Sequence, residues 1–102
     1  MNMNQYQYDA MKTRLPSANA SYVTLGLIGE VGELYGMTAK AIRDKKELDF
    51  DLVKKEIGDI LWFVAATAAD YGFTLEDVAE VNLAKLQKRQ SRGTLTGSGD
   101  NR

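Results

Sequence analysis

Val23-Thr24-Leu25-Gly26-Leu27-Ile28-Gly29-Glu30-Val31-Gly32-Glu33-Leu34-Tyr35-Gly36-Met37 decides the fold. Val23, Leu27, Glu30, Leu34 and Met37, continued by Ala41, recur at steps of four, three, four, three and four, the repeat of one face of an α-helix. This helix is expected over Ala20 to Arg43, with Lys40 and Arg43 in its last turn, where cations complement the dipole. On its N-terminal side, Leu15-Pro16-Ser17-Ala18-Asn19 holds the only proline and breaks the chain from a short first helix over Asn4 to Arg14. On its C-terminal side, Asp44-Lys45-Lys46-Glu47 reads as a polar loop. A third helix, capped by Asp49 or Asp51, runs to Tyr71 and stops at Gly72, a residue suited to a left-handed position. Thr74 caps a fourth helix with Glu76 and Asp77 in its first turn and an end near Gln90. No stretch shows sustained period-two alternation, so the expected class is all-α, a protomer resembling a four-helix bundle. Residues 1–90 form the expected domain and 91–102 a glycine-rich tail, flexible if judged by composition alone.

Two acidic pairs interrupt these helices. Glu30-Val31-Gly32-Glu33 and Glu56-Ile57-Gly58-Asp59 each place two carboxylates three residues apart, on one helical face. Glu30 lies inside the Val23–Ala41 stripe, and Glu56 with Asp59 lies between Leu52 and Phe63 on the third helix. Four carboxylates converging in partly apolar surroundings would cost several kcal/mol unless a cation sat among them. With no His and no Cys in the chain, an oxygen-only set points to Mg²⁺, with Mn²⁺ as a substitute. The competing reading is a solvated ridge paired with Lys54 and Lys55; two pairs on consecutive helices, each inside an apolar stripe, favour the cation. Gly26, Gly29, Gly32 and Gly36 cost the second helix about 0.8–1 kcal/mol each relative to alanine. Close helix approach and room beside the acids account for them equally well.

The fourth helix carries complementary charge. Leu75, Val78, Asn82, Lys85 and Arg89 share one face, so an ammonium and a guanidinium extend an apolar stripe, an arrangement suited to phosphates. The alternative is that Lys85 and Arg89 snorkel to solvent. Acids and cations together describe metal-assisted phosphoryl chemistry: carboxylates hold the ion, one of them orients or deprotonates a water, and the cations stabilise the leaving group. Trp62, Tyr22, Tyr35 and Tyr71 are either stacking surfaces for a base or core residues.

Composition narrows the setting. A chain of 102 residues is one small domain with a marginal core, and self-association would add burial. A net charge of −1 gives no footprint for a nucleic-acid polymer. The polar start Met1-Asn2-Met3-Asn4-Gln5 does not resemble a signal peptide, and no apolar run reaches the roughly 18 residues of a membrane span. The absence of cysteine is compatible with a reducing compartment, and the expected location is the cytoplasm.

With Gly29-Glu30-Val31-Gly32-Glu33 followed by Glu56-Ile57-Gly58-Asp59, the chain resembles the MazG-like branch of the all-α nucleoside triphosphate pyrophosphatase superfamily. The resemblance continues through Ile60-Leu61-Trp62-Phe63, Gly72-Phe73-Thr74-Leu75-Glu76-Asp77-Val78 and Asn82-Leu83-Ala84-Lys85-Leu86-Gln87-Lys88-Arg89. It also takes in Tyr6-Gln7, Arg92-Gly93 and Gly97-Ser98-Gly99-Asp100, and so covers nearly the whole chain. It implies that Glu30, Glu33, Glu56 and Asp59 are catalytic Mg²⁺ ligands and that a nucleoside triphosphate is hydrolysed to monophosphate and pyrophosphate, in house-cleaning or control of the nucleotide pool. It also implies that Lys40, Asn82, Lys85 and Arg89 contact phosphate or sugar, that the protein is a dimer or dimer of dimers, and that the tail folds over the site. Many relatives carry a doubled glutamate where position 29 is glycine, which leaves the general base open among Glu30, Glu33 and a neighbouring acid. The alternative function is a non-catalytic helical module that binds nucleotide or drives oligomerisation.

Overall fold

The computed structural model describes residues 1–99. Among these, four α-helices and no strands are formed: α1 (Met3–Met11), α2 (Ala20–Asp44), α3 (Phe50–Asp70) and α4 (Leu75–Ser91). Each begins on a side-chain cap. Asn2 accepts from the amide of Gln5, Asn19 from Tyr22, Asp49 from Asp51 and Leu52, and Thr74 from Asp77. Asp49, rather than Asp51, is thus the cap of α3. Helix α3 ends where Gly72 turns left-handed at φ 79°, as its residue type predicts. Helix α2 ends without a glycine, and Lys45 takes the left-handed position at φ 53°.

The first helix is shorter than its sequence suggests. It stops at Met11, and the amide and hydroxyl of Thr13 both donate to the carbonyl of Ala10, bending the chain away from the helix axis. Arg14, released from the helix, forms a two-pronged ion pair with Asp70 at the end of α3 (2.9 and 3.1 Å) and donates to the Ala18 carbonyl at 2.8 Å. The α1–α2 turn is therefore clamped at both of its ends.

The core lies between α2 and α3 and between α3 and α4. Val23, Phe63 and Ala66 form one cluster, and Ala65, Ala68 and Leu75 form the other. Alanines on α3 admit its neighbours closely, and Gly26 does the same on α2, where an added Cβ would overlap the Phe63 ring. No such contact surrounds Gly29, Gly32 or Gly36, which face open space. Close packing thus explains one of the four glycines.

Buried Gln7 on α1 joins the second cluster. Its amide donates to the carbonyls of Ala65 and Phe73 (3.1 Å each) and accepts from the Leu75 amide at 3.0 Å. Asn4 adds a reciprocal pair with Glu76, so α1 satisfies the first amides of α4 and fixes its start.

Helix α4 packs on α1 and α3, and α2 packs on α3 alone, among the described residues. The expected α4 stripe is consequently not turned as one face into the bundle: Leu75 is buried and Val78 and Asn82 are exposed. Beyond α4, Thr94 donates to the Arg89 carbonyl, and the Arg89 guanidinium donates to the Gly99 carbonyl at 3.3 Å. The start of the tail thereby folds back on the last turns of α4. The expectations for Asp100, Asn101 and Arg102 lie outside the described residues.

Candidate functional site

Antiparallel packing of α2 on α3 brings the acidic pairs together. Glu30, Glu33 and Glu56 each offer an oxygen within 4.8 Å of the others. Asp59, one turn after Glu56, stands beside this trio and shares a pocket with Glu30. One oxygen of Glu30 and one of Glu56 are buried with no hydrogen-bond partner. None of the ion pairs among the described residues involves these four acids.

The electrostatic consequence is concentrated on Glu30, whose carboxyl is pushed from 4.5 up to about 7. Burial is the largest cause, followed by the charge of Glu33, the approach of Glu56 and the charge of Asp59. Two carboxylates cannot hydrogen-bond to each other, so the Glu30–Glu56 contact is attractive only when one of them holds a proton. On α1, burial and then the Asp59 charge raise the Tyr6 phenol.

Two recesses flank the acids. On one side, Glu30 and Asp59 line a pocket of about 540 Å³ together with Tyr22, Trp62, Phe63 and the turn from Thr13 to Ala18. On the other, Glu33 and Glu56 line a recess of about 500 Å³ with Gly29, Gly32, Gly36, Met37 and Lys40. The three glycines without packing neighbours are thus the ones that open the ground beside the acids. Lys40 is the cation that the fold brings to this side.

The other expected phosphate contacts lie elsewhere. Asn82 and Lys85 line a third recess, about 410 Å³, with Phe73, Asp77, Val78 and Val81, and none of the four acids borders it. Arg89 is 3% exposed and holds Gly99 of the tail. The sequence reading gave no role to Thr13, Leu15 or Ser17, which belong to the acid-lined pocket. Their only signal was Pro16, which marks a turn without saying what the turn covers.

The residues fit a hard divalent cation. All donors are carboxylate oxygens, two of them buried and otherwise unsatisfied, and ligands 2.0–2.6 Å from one ion lie no more than about 5 Å apart. The comparison with known proteins agrees with this geometry. Residues 19–94 match the MazG nucleotide pyrophosphohydrolase domain. The chain belongs to the MazG family. All four acids, Lys40 and the α4 residues lie inside the matched segment, whereas α1 and the turn through Ala18 precede it. The gene 37 protein of Mycobacterium phage L5 is 40% identical over 114 residues, covering the whole of both chains. No solved structure matches this MazG chain. Among the described residues, no helix is long and apolar enough to cross a membrane.

Proposed function

We propose that the protein is a cytoplasmic Mg²⁺-dependent nucleoside triphosphate pyrophosphohydrolase, with Mn²⁺ as a substitute ion, serving nucleotide-pool control or house-cleaning. The observation that carries this reading is the convergence of Glu30, Glu33 and Glu56 with two buried, unpartnered oxygens and, among the described residues, no cationic side chain paired to them. Glu30, Glu33, Glu56 and Asp59 would hold the ion, which when bound supplies positive charge against the polyphosphate. A water oxygen bonds to phosphorus, the bond between the α- and β-phosphates breaks, and one water proton passes to a site carboxylate. Lys40, which lines the recess of Glu33 and Glu56, would receive the phosphate end of the substrate. The products are the monophosphate and pyrophosphate.

Self-association belongs to the same proposal. The radius of gyration, 16.6 Å, exceeds the roughly 13 Å of a self-contained domain of about 100 residues. Leu25, Ile28, Gly32, Tyr35, Ala39 and Ile42 repeat at three- and four-residue steps on the face of α2 away from α3. The four large residues of that seam are 71%, 67%, 66% and 74% exposed, an apolar stripe that a second copy would cover. Assembly as a dimer or dimer of dimers would also bring Asn82 and Lys85 to substrate from α4, which within one protomer does not touch α2, with buried Arg89 holding the tail beside them.

The test is pyrophosphate release from a panel of ordinary and modified ribo- and deoxyribonucleoside triphosphates with Mg²⁺ and with Mn²⁺. Turnover of at least one, abolished in Glu56→Gln and Asp59→Asn, is the expected result. Binding without turnover across the panel would favour the non-catalytic nucleotide-binding module instead.

A further inference from the structure

Part of the pocket beside Glu30 and Asp59 comes from outside the segment shared with the family. Thr13, Leu15, Ser17 and Ala18 line it, and all precede residue 19, where the family match begins. This wall is held from three directions. The Trp62 indole N–H donates to the Thr13 hydroxyl at 2.9 Å and to the Ala10 carbonyl at 3.2 Å. Arg14 ties the turn to Asp70 of α3 through two bonds and spans it internally through the Ala18 carbonyl. These bonds brace the turn against its neighbours, and a braced wall is what discrimination between similar ligands requires.

The lining of the pocket combines acids, an uncharged turn and aromatic rings. The charged groups lining it are the acids Glu30 and Asp59, and Arg14 is turned away to Asp70. With Arg14 committed to Asp70, no cationic side chain among the described residues lines this pocket to meet an anionic phosphate. Trp62, Phe63 and Tyr22 give the pocket apolar ring surface: the Trp62 ring meets Phe63 edge-on at 5.1 Å between centroids, and the Tyr22 ring lies 6.0 Å from Phe63. Because the indole N–H is already bonded to Thr13 and Ala10, Trp62 can offer a ligand its ring surface but not its donor. The Ser17 hydroxyl, exposed at the rim, makes no hydrogen bond within the described residues. An uncharged planar group with polar edges fits these surroundings.

We propose that the Thr13–Ala18 turn is the specificity wall of this enzyme, selecting the nucleobase, with Leu15 shaping the space above the aromatic rings and Ser17 reading a polar edge. The proposal rests on the pyrophosphohydrolase reading for its substrate, but its test does not depend on turnover. Trp62 is the single tryptophan, so its fluorescence reports the pocket directly. The full-length protein is titrated with each common nucleoside monophosphate, and with ribose 5-phosphate as a probe that has sugar and phosphate but no base. At least one monophosphate should quench Trp62 saturably while ribose 5-phosphate does not. In Leu15→Ala and Ser17→Ala, both changes at exposed positions, the ratio of affinities between the best and next-best base should change about tenfold. Equal quenching by ribose 5-phosphate, no quenching by any monophosphate, or an unchanged order of bases in both variants would overturn the wall. Pyrophosphate release is measured in parallel. Base-selective quenching without release would sink the catalytic reading and leave the wall standing, and release with an unchanged base order would do the reverse.

Discussion

Glu30→Gln should stabilise the metal-free protein at neutral and alkaline pH, and the size of the effect follows from the position of its carboxyl. In an unfolded chain this group titrates near 4.5, and in the fold it titrates near 7. The folded state therefore binds more protons between these values, and its stability falls as pH rises through that window. The stabilising contribution is complete below about 4.5 and lost above about 7. At about 1.4 kcal/mol per pH unit the ceiling is about 3 kcal/mol, and solvent reaching this half-buried group reduces it to roughly 1–2 kcal/mol. Glutamine keeps the shape and removes the charge, so above pH 7 the variant should melt roughly 4–15 °C higher in EDTA. Adding Mg²⁺ should reverse the order, because the ion stabilises the parent in proportion to its binding and finds a weakened site in the variant. Thermal melts by circular dichroism at pH 5 and pH 8, at one fixed protomer concentration, with EDTA and with Mg²⁺, give all eight values. Equal melting temperatures for parent and variant in EDTA at pH 8, or an equal gain from Mg²⁺ in both, would refute the account of these acids as a cation-seeking cluster.

Gly26→Ala should lower stability by about 1–3 kcal/mol in denaturant melts, since the new methyl overlaps the buried Phe63 ring. Lys45→Gly should raise it by about 1 kcal/mol in the same assay, because only the left-handed φ of 53° is being relieved. Gln7→Leu should cost about 2–4 kcal/mol, as it strips partners from two carbonyls and from the buried Leu75 amide; a loss under 0.5 kcal/mol would mean that water replaces all three bonds. Ile28→Lys should reduce the mass measured by light scattering toward that of one chain, and an unchanged oligomer would place the interface away from the outer α2 seam.

Local chemistry made the helices readable. Thr74, Asp49 and Gly72 act where their side chains and backbone preferences placed them, because a cap or a left-handed turn involves only a few consecutive residues. The acidic pairs were readable for a related reason: spacing fixes which residues share a face, and consecutive helices packed side by side bring Glu30, Glu33 and Glu56 within reach. The α4 stripe shows where this reasoning stops. Periodicity gives a helix its face but not its neighbour, and α4 is docked on α1 through Gln7 and Asn4, two polar residues that apolar periodicity does not register. The end of α1 was misplaced for the same reason. Nothing in Lys12-Thr13-Arg14 forbids a helix; it ends because Thr13 turns back on the Ala10 carbonyl, and Arg14 then pairs with Asp70, 56 residues away, a partner the local sequence does not show.

The four glycines of α2 show how structure separates residues that composition treats alike. Each forgoes helix propensity worth up to about 1 kcal/mol, yet only Gly26 recovers it in packing within the protomer. Gly29 and Gly36 border the recess of Glu33, Glu56 and Lys40, and Gly32 both borders that recess and lies on the outer apolar seam. A methyl at Gly29 or Gly36 would meet no protein atom within 4 Å, so alanine there should stabilise an isolated protomer by propensity alone. The same methyls would narrow the ground where the phosphate end of a substrate is proposed to lie. Gly29→Ala and Gly36→Ala should therefore raise the melting temperature in EDTA while raising KM for the triphosphate, a pairing that packing glycines do not produce. Stability and KM rising together would tie these glycines to substrate space; a higher melting temperature with KM unchanged would remove the recess from the site.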